Sequence, residues 1–140
     1  MNQCTANKDY GPGPDVINVK ETAEENCIFR TAVWTGCHLQ MTIMAIPPCS
    51  DIGLEIHTDT DQMIRVEAGC GMVLFGKCKN QPDYKYCLRT GDAVFVPAGT
   101  WHNIKNTGET LLKLSSVYAP PKHPKGTVHM TKEDALLAEY

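Results

Sequence analysis

Short runs of alternating apolar and polar residues fill the chain from Cys27 onward. Gly, Pro, Asp and Asn separate the runs, and this spacing is typical of short β-strands joined by turns. Because strand side chains alternate between two faces, each run can bury one face and expose the other. The pattern predicts about nine strands, over residues 28–34, 38–46, 54–57, 62–68, 72–76, 84–88, 93–96, 101–106 and 110–119. We therefore predict an all-β sandwich or barrel of the jelly-roll kind.

The two ends of the chain depart from this pattern. Gly11-Pro12-Gly13-Pro14 punctuates a polar start and predicts an extended arm, while residues 20–26 suit a short helix or a turn. A Pro-rich loop over 120–124 leads to Thr131, which can cap a short C-terminal helix with an acidic first turn. We expect one domain, built from an arm (1–26), a barrel (27–119) and a Pro-rich loop with the C-terminal helix (120–140).

The charge of the chain narrows the classes of partner. Its 13 basic residues are opposed by 16 acidic ones, the net charge is −3, and no basic stripe is visible. Nucleic-acid binding is therefore not expected. No apolar stretch approaches the ~20 residues that a membrane span needs, and the first residues lack the pattern of a signal peptide. We expect no membrane partner and a cytoplasmic location.

Cysteine is abundant, with seven residues, and an odd number leaves at least one thiol unpaired within the chain. No two of them have the C-x-x-C spacing of a zinc knuckle. In a cytoplasmic protein we expect reduced thiols, most of them acting as small, buried or half-buried apolar side chains. The seven positions are Cys4, Cys27, Cys37, Cys49, Cys70, Cys78 and Cys87.

One segment late in the barrel carries a candidate metal ligand. Val96-Pro97-Ala98-Gly99 fits a type I turn, with proline at its second position and glycine at its fourth. His102 then enters the next strand, where His102, Ile104 and Asn106 share one face because alternate residues do. A neutral imidazole held on a rigid strand is a good metal ligand.

Two segments resemble the motifs of the cupin superfamily. The stretch from Gly91 to Asn106 has the form G-x5-P-x-G-x2-H-x3-N, which is the second cupin motif at every fixed position. The first motif, aligned backwards from Gly69, becomes Glu55-x-His57-x4-Gln62. Glu55 and Gln62 then stand where the family usually has histidine and glutamate, and Cys49 replaces the opening glycine. The resemblance implies a small barrel with a metal in its pocket.

The local geometry supports this alignment. Glu55 and His57 are two residues apart and share a strand face, and Thr58 to Asp61 suit a four-residue hairpin loop. Gln62 would then begin the return strand opposite His57. A one-residue change of register would instead bring in Asp59 or Asp61.

The resemblance implies one divalent transition metal held by four residues. Two imidazoles, a carboxylate and an amide oxygen suit Zn²⁺, Mn²⁺, Fe²⁺, Ni²⁺ or Co²⁺ alike. The predicted ligands are Glu55, His57, Gln62 and His102.

Several other polar residues have two interpretations each. His123 and His129 flank a loop rich in Pro and Gly, and they are either ordinary loop histidines or residues folded over the barrel mouth. Tyr118 ends a strand and either lines the cavity or faces away from it. Lys105 and Lys113 are either exposed strand lysines or a phosphate-binding pair.

The resemblance leaves three functions open. The ligand set of two His, one Glu and one Gln is similar to that of mannose-6-phosphate isomerases, which implies isomerisation of a sugar or sugar phosphate. With Gln62 as a bystander, Glu55, His57 and His102 would instead suit an iron-dependent dioxygenase. The third interpretation is a non-catalytic module that binds a small-molecule ligand. Small cupins also imply a homodimer.

Overall fold

Two antiparallel β-sheets and a short helix near each end make up residues 4–138, which the computed structural model describes. The strands in these residues are β1 (Arg30–Thr35), β2 (Gln40–Ile46), β3 (Asp61–Ala68), β4 (Cys70–Gly76), β5 (Tyr84–Arg89), β6 (Ala93–Val96), β7 (Trp101–Asn106), β8 (Leu112–Ala119) and β9 (Val128–His129). The helices are α1 (Val19–Glu25) and α2 (Lys132–Leu137). Among the described residues no helix is long and apolar enough to cross a membrane.

The sheets have six and three strands. Their orders are β6-β3-β8-β2-β1-β9 and β5-β4-β7, and every pairing is antiparallel. Strands that are distant in the chain, such as β3 and β8, lie side by side, as in a jelly roll. The predicted all-β jelly-roll barrel with a short C-terminal helix is therefore confirmed. Thr131 caps α2 with its side chain, as the sequence predicted.

Two elements differ from the predicted ones. Residues 54–57 form no regular strand, and their one bridge joins Glu55 to His102 of β7. Strand β9 was not predicted, because it has only two residues and lies in a loop rich in Pro and Gly. Strand β9 pairs with β1, where His129 lies opposite Arg30.

The barrel interior has an apolar half between the two sheets. Residues paired across strands share a sheet face, and Met44 and Val66, the partners of Leu114, both belong to this core. The core includes Phe29, Met44, Ile46, Ile64, Val66, Val73, Val94, Val96, Ile104, Leu112 and Leu114.

The other half of the interior is polar. Along β8 the inward positions change from Leu112 and Leu114 to Ser116 and Tyr118. Neighbouring strands change at the same level, since Tyr118 lies between Gln40 of β2 and Gln62 of β3. Buried polar groups require partners, so this end of the barrel is where a ligand or metal would stabilise the protein.

Helix α1 covers the outer face of the six-stranded sheet, where Ala23 packs on Val33 and Ile43. Lys113 donates to the backbone oxygens of Glu24 and Asn26 at the end of this helix. Lys113, on the six-stranded sheet, thus binds the C-terminal end of α1, whereas Lys105 is exposed on the three-stranded sheet. The two lysines form no phosphate-binding pair.

The cysteines depart from expectation. Cys4 and Cys27 form a disulfide that ties the N-terminal arm to the start of the barrel, so the prediction of reduced thiols is wrong for this pair. The free cysteines of the described chain are all exposed rather than buried or half-buried, and they are Cys37, Cys49, Cys70, Cys78 and Cys87.

Candidate metal centre

Backbone hydrogen bonds position the first two predicted ligands. The irregular segment before β3 runs beside β7, where Ile52 N–H donates to the Ile104 oxygen at 3.0 Å. Glu55 and His102 exchange two backbone hydrogen bonds of 2.9 Å each. Gly99 N–H donates to the His57 oxygen at 2.8 Å, so the turn before β7 also fixes His57.

Three of the four predicted ligands converge at the polar end of the barrel. Nε2 of His57 lies 3.3 Å from Oε2 of Glu55, and Nε2 of His102 lies 3.9 Å from the same oxygen. The two imidazole rings have their centroids 5.3 Å apart. One ligand atom from each of these three residues lies within 4.8 Å of the others.

The protonation of His102 suits metal binding. Its Nδ1 lies 3.0 Å from the Thr100 carbonyl oxygen, which can only accept, so Nδ1 carries the proton and Nε2 carries a lone pair. Burial lowers the pKa of His102 and outweighs the opposing effects of Thr100 and Glu55. His102 is therefore neutral at neutral pH, the form in which imidazole binds metals.

Glu55 is held as a carboxylate. Burial would raise its pKa, but His57 and the Arg30 guanidinium outweigh that effect and lower the pKa to about 2. Oε1 of Glu55 lies 3.4 Å from Nη2 of Arg30, while Oε2 faces the two imidazoles. Arg30 therefore holds one carboxylate oxygen and leaves the other facing the two imidazoles, where a metal would bind.

Gln62 is the second residue of β3, which begins one position before the predicted start, and it is buried. Its Nε2 donates to Ser116 Oγ at 2.8 Å, which leaves Oε1 without a hydrogen-bond partner among the described residues. An amide oxygen of this kind can serve as a metal ligand, so Gln62 stays a prediction for the fourth position. Of the alternative aspartates, Asp59 is exposed, and Asp61 accepts from Ala98 N–H.

Several buried polar atoms at this end of the barrel lack hydrogen-bond partners among the described residues, and a metal ion could coordinate them. Nε2 of both histidines and Oε1 of Gln62 are buried without hydrogen-bond partners in the described chain. Leaving buried polar atoms unsatisfied costs about 1–3 kcal/mol each. The nitrogen and oxygen donors of Glu55, His57 and His102, which lie within 4.8 Å of one another, fit a divalent transition metal. Glu55, His57 and His102 would hold it, with Gln62 as the predicted fourth ligand.

A cavity of about 340 Å³ opens onto this cluster. That volume is at the small end of the range of ligand pockets. Its lining includes Arg30, Leu54, Glu55, His57, Trp101, Lys122, His123 and His129. The cavity therefore presents both the metal-binding groups and basic residues to a small ligand.

His123 and His129 reach the cavity by different routes. The side chain of Gln40 accepts from His123 N–H at 2.9 Å and donates to its carbonyl oxygen at 2.9 Å. Pairing of β9 with β1 places His129 beside Arg30. Both histidines are buried. The interpretation as ordinary loop histidines is therefore wrong, and the alternative of folding over the barrel mouth is confirmed.

Burial and charge keep these two imidazoles uncharged. Burial, followed by the positive charge of Arg30, lowers the pKa of His123 to about 3 and also lowers the pKa of His129. Tyr118 lies fully buried beneath them, with its hydroxyl 3.3 Å from Nε2 of His123 and its ring 5.8 Å from that of His57. The residues beside the candidate metal cluster thus supply hydrogen-bonding groups, and Arg30 adds a positive charge there.

Comparison with known proteins agrees with this architecture. Residues 42–118 match the family model described as the Cupin domain. The chain belongs to the cupin family. The match covers β2 to β8 and therefore all four predicted metal ligands.

Relatives of this cupin include YrkC of Bacillus subtilis (strain 168), which is 53% identical over 132 residues that cover 94% of this chain and 71% of YrkC. The protein L612 of Acanthamoeba polyphaga mimivirus is 41% identical over 118 residues, covering 84% of this chain and 72% of L612. A crystal structure of BH2720 from Bacillus halodurans superposes with a TM-score of 0.92 at 49% identity. That superposition covers 94% of this chain and 99% of BH2720.

Arg30 lines the cavity of this cupin but was not predicted from the sequence. Arg30 is the one charged residue of the apolar run over 28–34, and its side chain is only 4% exposed. An arginine inside a buried strand requires a partner. That requirement was a usable signal, but the partners, Glu55 and His129, come from segments far apart in the sequence.

Proposed function

We propose that this cupin is a metal-dependent enzyme that isomerises a small sugar or sugar phosphate. The convergence of Glu55, His57 and His102 on one space that opens into the cavity carries this proposal. These three residues would leave a coordination position for a substrate, as catalytic sites with three protein ligands do, and with Gln62 added a six-coordinate metal would still have two open positions. A metal bound there would polarise a carbonyl or hydroxyl oxygen of the sugar.

The residues around the cluster supply binding and shielding. Leu54 and Trp101 line the cavity and would cover the apolar face of a bound sugar. His123 is uncharged at neutral pH, so it would act as a hydrogen-bonding partner for a sugar hydroxyl. Arg30 keeps Glu55 ionised and oriented.

An iron-dependent dioxygenase is the second candidate, and one observation favours it. Among His, Cys, Asp and Glu of the described chain, the group that converges is two histidines and one carboxylate. That is the composition of the iron site in many oxygenases. In this alternative Gln62 would serve only to orient Ser116, to which it donates.

Metal analysis of the purified protein tests the shared basis of both candidates. We expect about one transition-metal ion per chain in the wild type and a marked loss in His57→Ala and His102→Ala. His38→Ala is the matched control, because His38 is exposed. A wild-type protein that takes up no metal under metal-replete conditions would contradict the proposal.

A panel of sugars and sugar phosphates then separates the reactions. We expect isomerisation under anaerobic conditions with Mn²⁺, Zn²⁺ or Fe²⁺ and its loss in His57→Ala. Oxygen uptake that requires iron would favour the dioxygenase. Tight binding without turnover would favour a non-catalytic binding module and contradict both enzymes.

A further inference from the structure

We propose that Arg30 forms a carboxylate-binding subsite beside the metal centre, so that the ligand is a sugar acid whose carboxylate adjoins the carbon bearing the metal-binding oxygen. This inference deepens the proposed function, on which it rests for the sugar-like nature of the ligand. It depends on the burial, charge and position of Arg30.

Arg30 is a buried cation with few partners. Its side chain is 4% exposed, and it lines the cavity. Nη2 lies 3.4 Å from Glu55 Oε1, Nη1 donates to His129 Nδ1 at 3.3 Å, and Nε has no hydrogen-bond partner among the described residues. Both contacts are longer than the 2.7–2.9 Å typical of charge-assisted pairs. A buried guanidinium held this loosely is available to a further anion.

The charge of the cavity wall favours a negative ligand. Among the described residues that line the cavity, Arg30 and Lys122 are the permanent cations, and Glu55 is the one carboxylate. Oε2 of Glu55 faces the nitrogens of His57 and His102 and would be taken up by a divalent metal. The metal would add two positive charges beside Arg30, so an anionic group there would be strongly stabilised.

The spacing selects the kind of anion. The guanidinium of Arg30 approaches one oxygen of Glu55, and the imidazole of His57 approaches the other, at 3.4 and 3.3 Å. The metal centre and Arg30 are thus separated by about the width of a single carboxylate. A ligand carboxylate on Arg30 would place the oxygen of its neighbouring carbon near the metal. The phosphate of a sugar 6-phosphate lies several bonds from the carbonyl end and does not fit this spacing.

Three ligands with one carbon skeleton test the subsite by isothermal titration calorimetry. The probes are D-gluconate, which bears a carboxylate next to a hydroxyl, D-glucose, which is neutral, and D-glucose 6-phosphate. We expect the Zn²⁺-loaded wild type to bind gluconate at least tenfold more tightly than either other probe. Equal affinities for gluconate and glucose, or a preference for glucose 6-phosphate, would overturn the proposal.

Variants assign the preference to the guanidinium. Arg30→Gln is expected to lose the tenfold preference for gluconate, and Arg30→Lys to keep part of it, because lysine retains charge without the planar fork. Arg89→Gln, at an exposed arginine of β5, is the matched control and should keep the preference. A preference that survives in Arg30→Gln would contradict the subsite. If that variant does not fold, Arg30→Lys and the wild-type comparison decide.

The same titrations separate this inference from the proposed function. Arg30 is still present after EDTA has removed the metal. We therefore expect the metal-free protein, too, to bind gluconate more tightly than it binds glucose. Preference for gluconate without isomerisation of any sugar would leave the subsite standing and the isomerase rejected. Isomerisation without preference for gluconate would reject the subsite alone.

Discussion

Glu55 and His102 exchange two backbone hydrogen bonds of 2.9 Å, although 46 residues of sequence separate them. This bridge is the only regular pairing of the segment over 54–57 in the described structure. It places Oε2 of Glu55 3.9 Å from Nε2 of His102. The carboxylate of a degenerate first motif is thereby fixed against the histidine of an intact second motif.

The carboxylate of Glu55 should dominate metal affinity. Replacing Glu55 by glutamine keeps the shape of the side chain and removes the charge. We therefore expect Glu55→Gln to weaken Zn²⁺ binding by roughly 100-fold, which is the upper end of the loss seen when a residue that supports a metal ligand is changed. Competition with a chromophoric chelator measures this change. Glu109→Gln is the matched control at an exposed glutamate. An unchanged affinity in Glu55→Gln would mean that the first motif is misaligned.

Gln62 is the one predicted ligand with a neutral amide group, so a change of charge tests its role directly. Its Oε1 has no partner in the described structure, so a carboxylate at this position should bind a metal more tightly, and a methyl group less tightly. We expect Zn²⁺ affinity to rise in Gln62→Glu and to fall roughly tenfold in Gln62→Ala. Ser116→Ala controls for the loss of the hydrogen bond to Nε2. Identical affinities in all three variants would establish a three-residue centre.

Asn106, the last residue of the second motif, holds a loop rather than a metal. Its Nδ2 donates to the Ile46 and Thr110 oxygens at 2.8 Å, and its Oδ1 accepts from Gly108 N–H at 2.8 Å. Removing a buried group with three partners should cost roughly 2–4 kcal/mol. We expect Asn106→Ala to lower the free energy of urea unfolding by that amount and Asn80→Ala, at an exposed site, to leave it unchanged. Metal content in the folded protein should be retained.

Asp9 should make the stability of the arm depend on pH. Its carboxylate accepts from Thr35, Gly11 and Gly126 and lies near Lys125. Burial would raise its pKa, but these hydrogen bonds and Lys125 outweigh it and lower the pKa below 3.8. A carboxyl group whose pKa is lower in the folded state than in the unfolded state stabilises the folded protein. This stabilisation is fully present at pH values above the pKa of the unfolded state, and it is lost as the pH falls through the pKa of the folded state.

We therefore expect Asp9→Asn to be less stable than the wild type at pH 7, with a gap that narrows below pH 3.8. Urea denaturation at several pH values measures this difference. Asp59→Asn is the matched control, because Asp59 is exposed. A gap that stays constant down to pH 2 would show that the effect does not arise from ionisation of Asp9.

Local patterns in the sequence were enough to predict the strands and His102 as a candidate ligand. Alternation and turn residues predicted eight of the nine described strands to within two residues at either end, because each such strand carries its own periodic signal. The second motif likewise contains its turn, its strand and His102 in one continuous stretch. Local sequence was therefore sufficient to predict those elements whose structure depends mainly on residues close together in the chain.

The surroundings of the candidate metal centre depend on contacts between segments that are distant in the sequence. Arg30, His123 and His129 come from segments that lie far apart in the sequence, and they meet through β1, β9 and the loop that Gln40 holds. The disulfide between Cys4 and Cys27 likewise joins residues that are distant in the sequence and that no local pattern pairs. Such groupings depend on packing between distant segments, and the free energy of that packing cannot be predicted from the pattern of any one local stretch. Local sequence therefore predicted the barrel and the strand that carries His102, while packing between distant segments formed the cavity and fixed the irregular segment that carries Glu55 and His57.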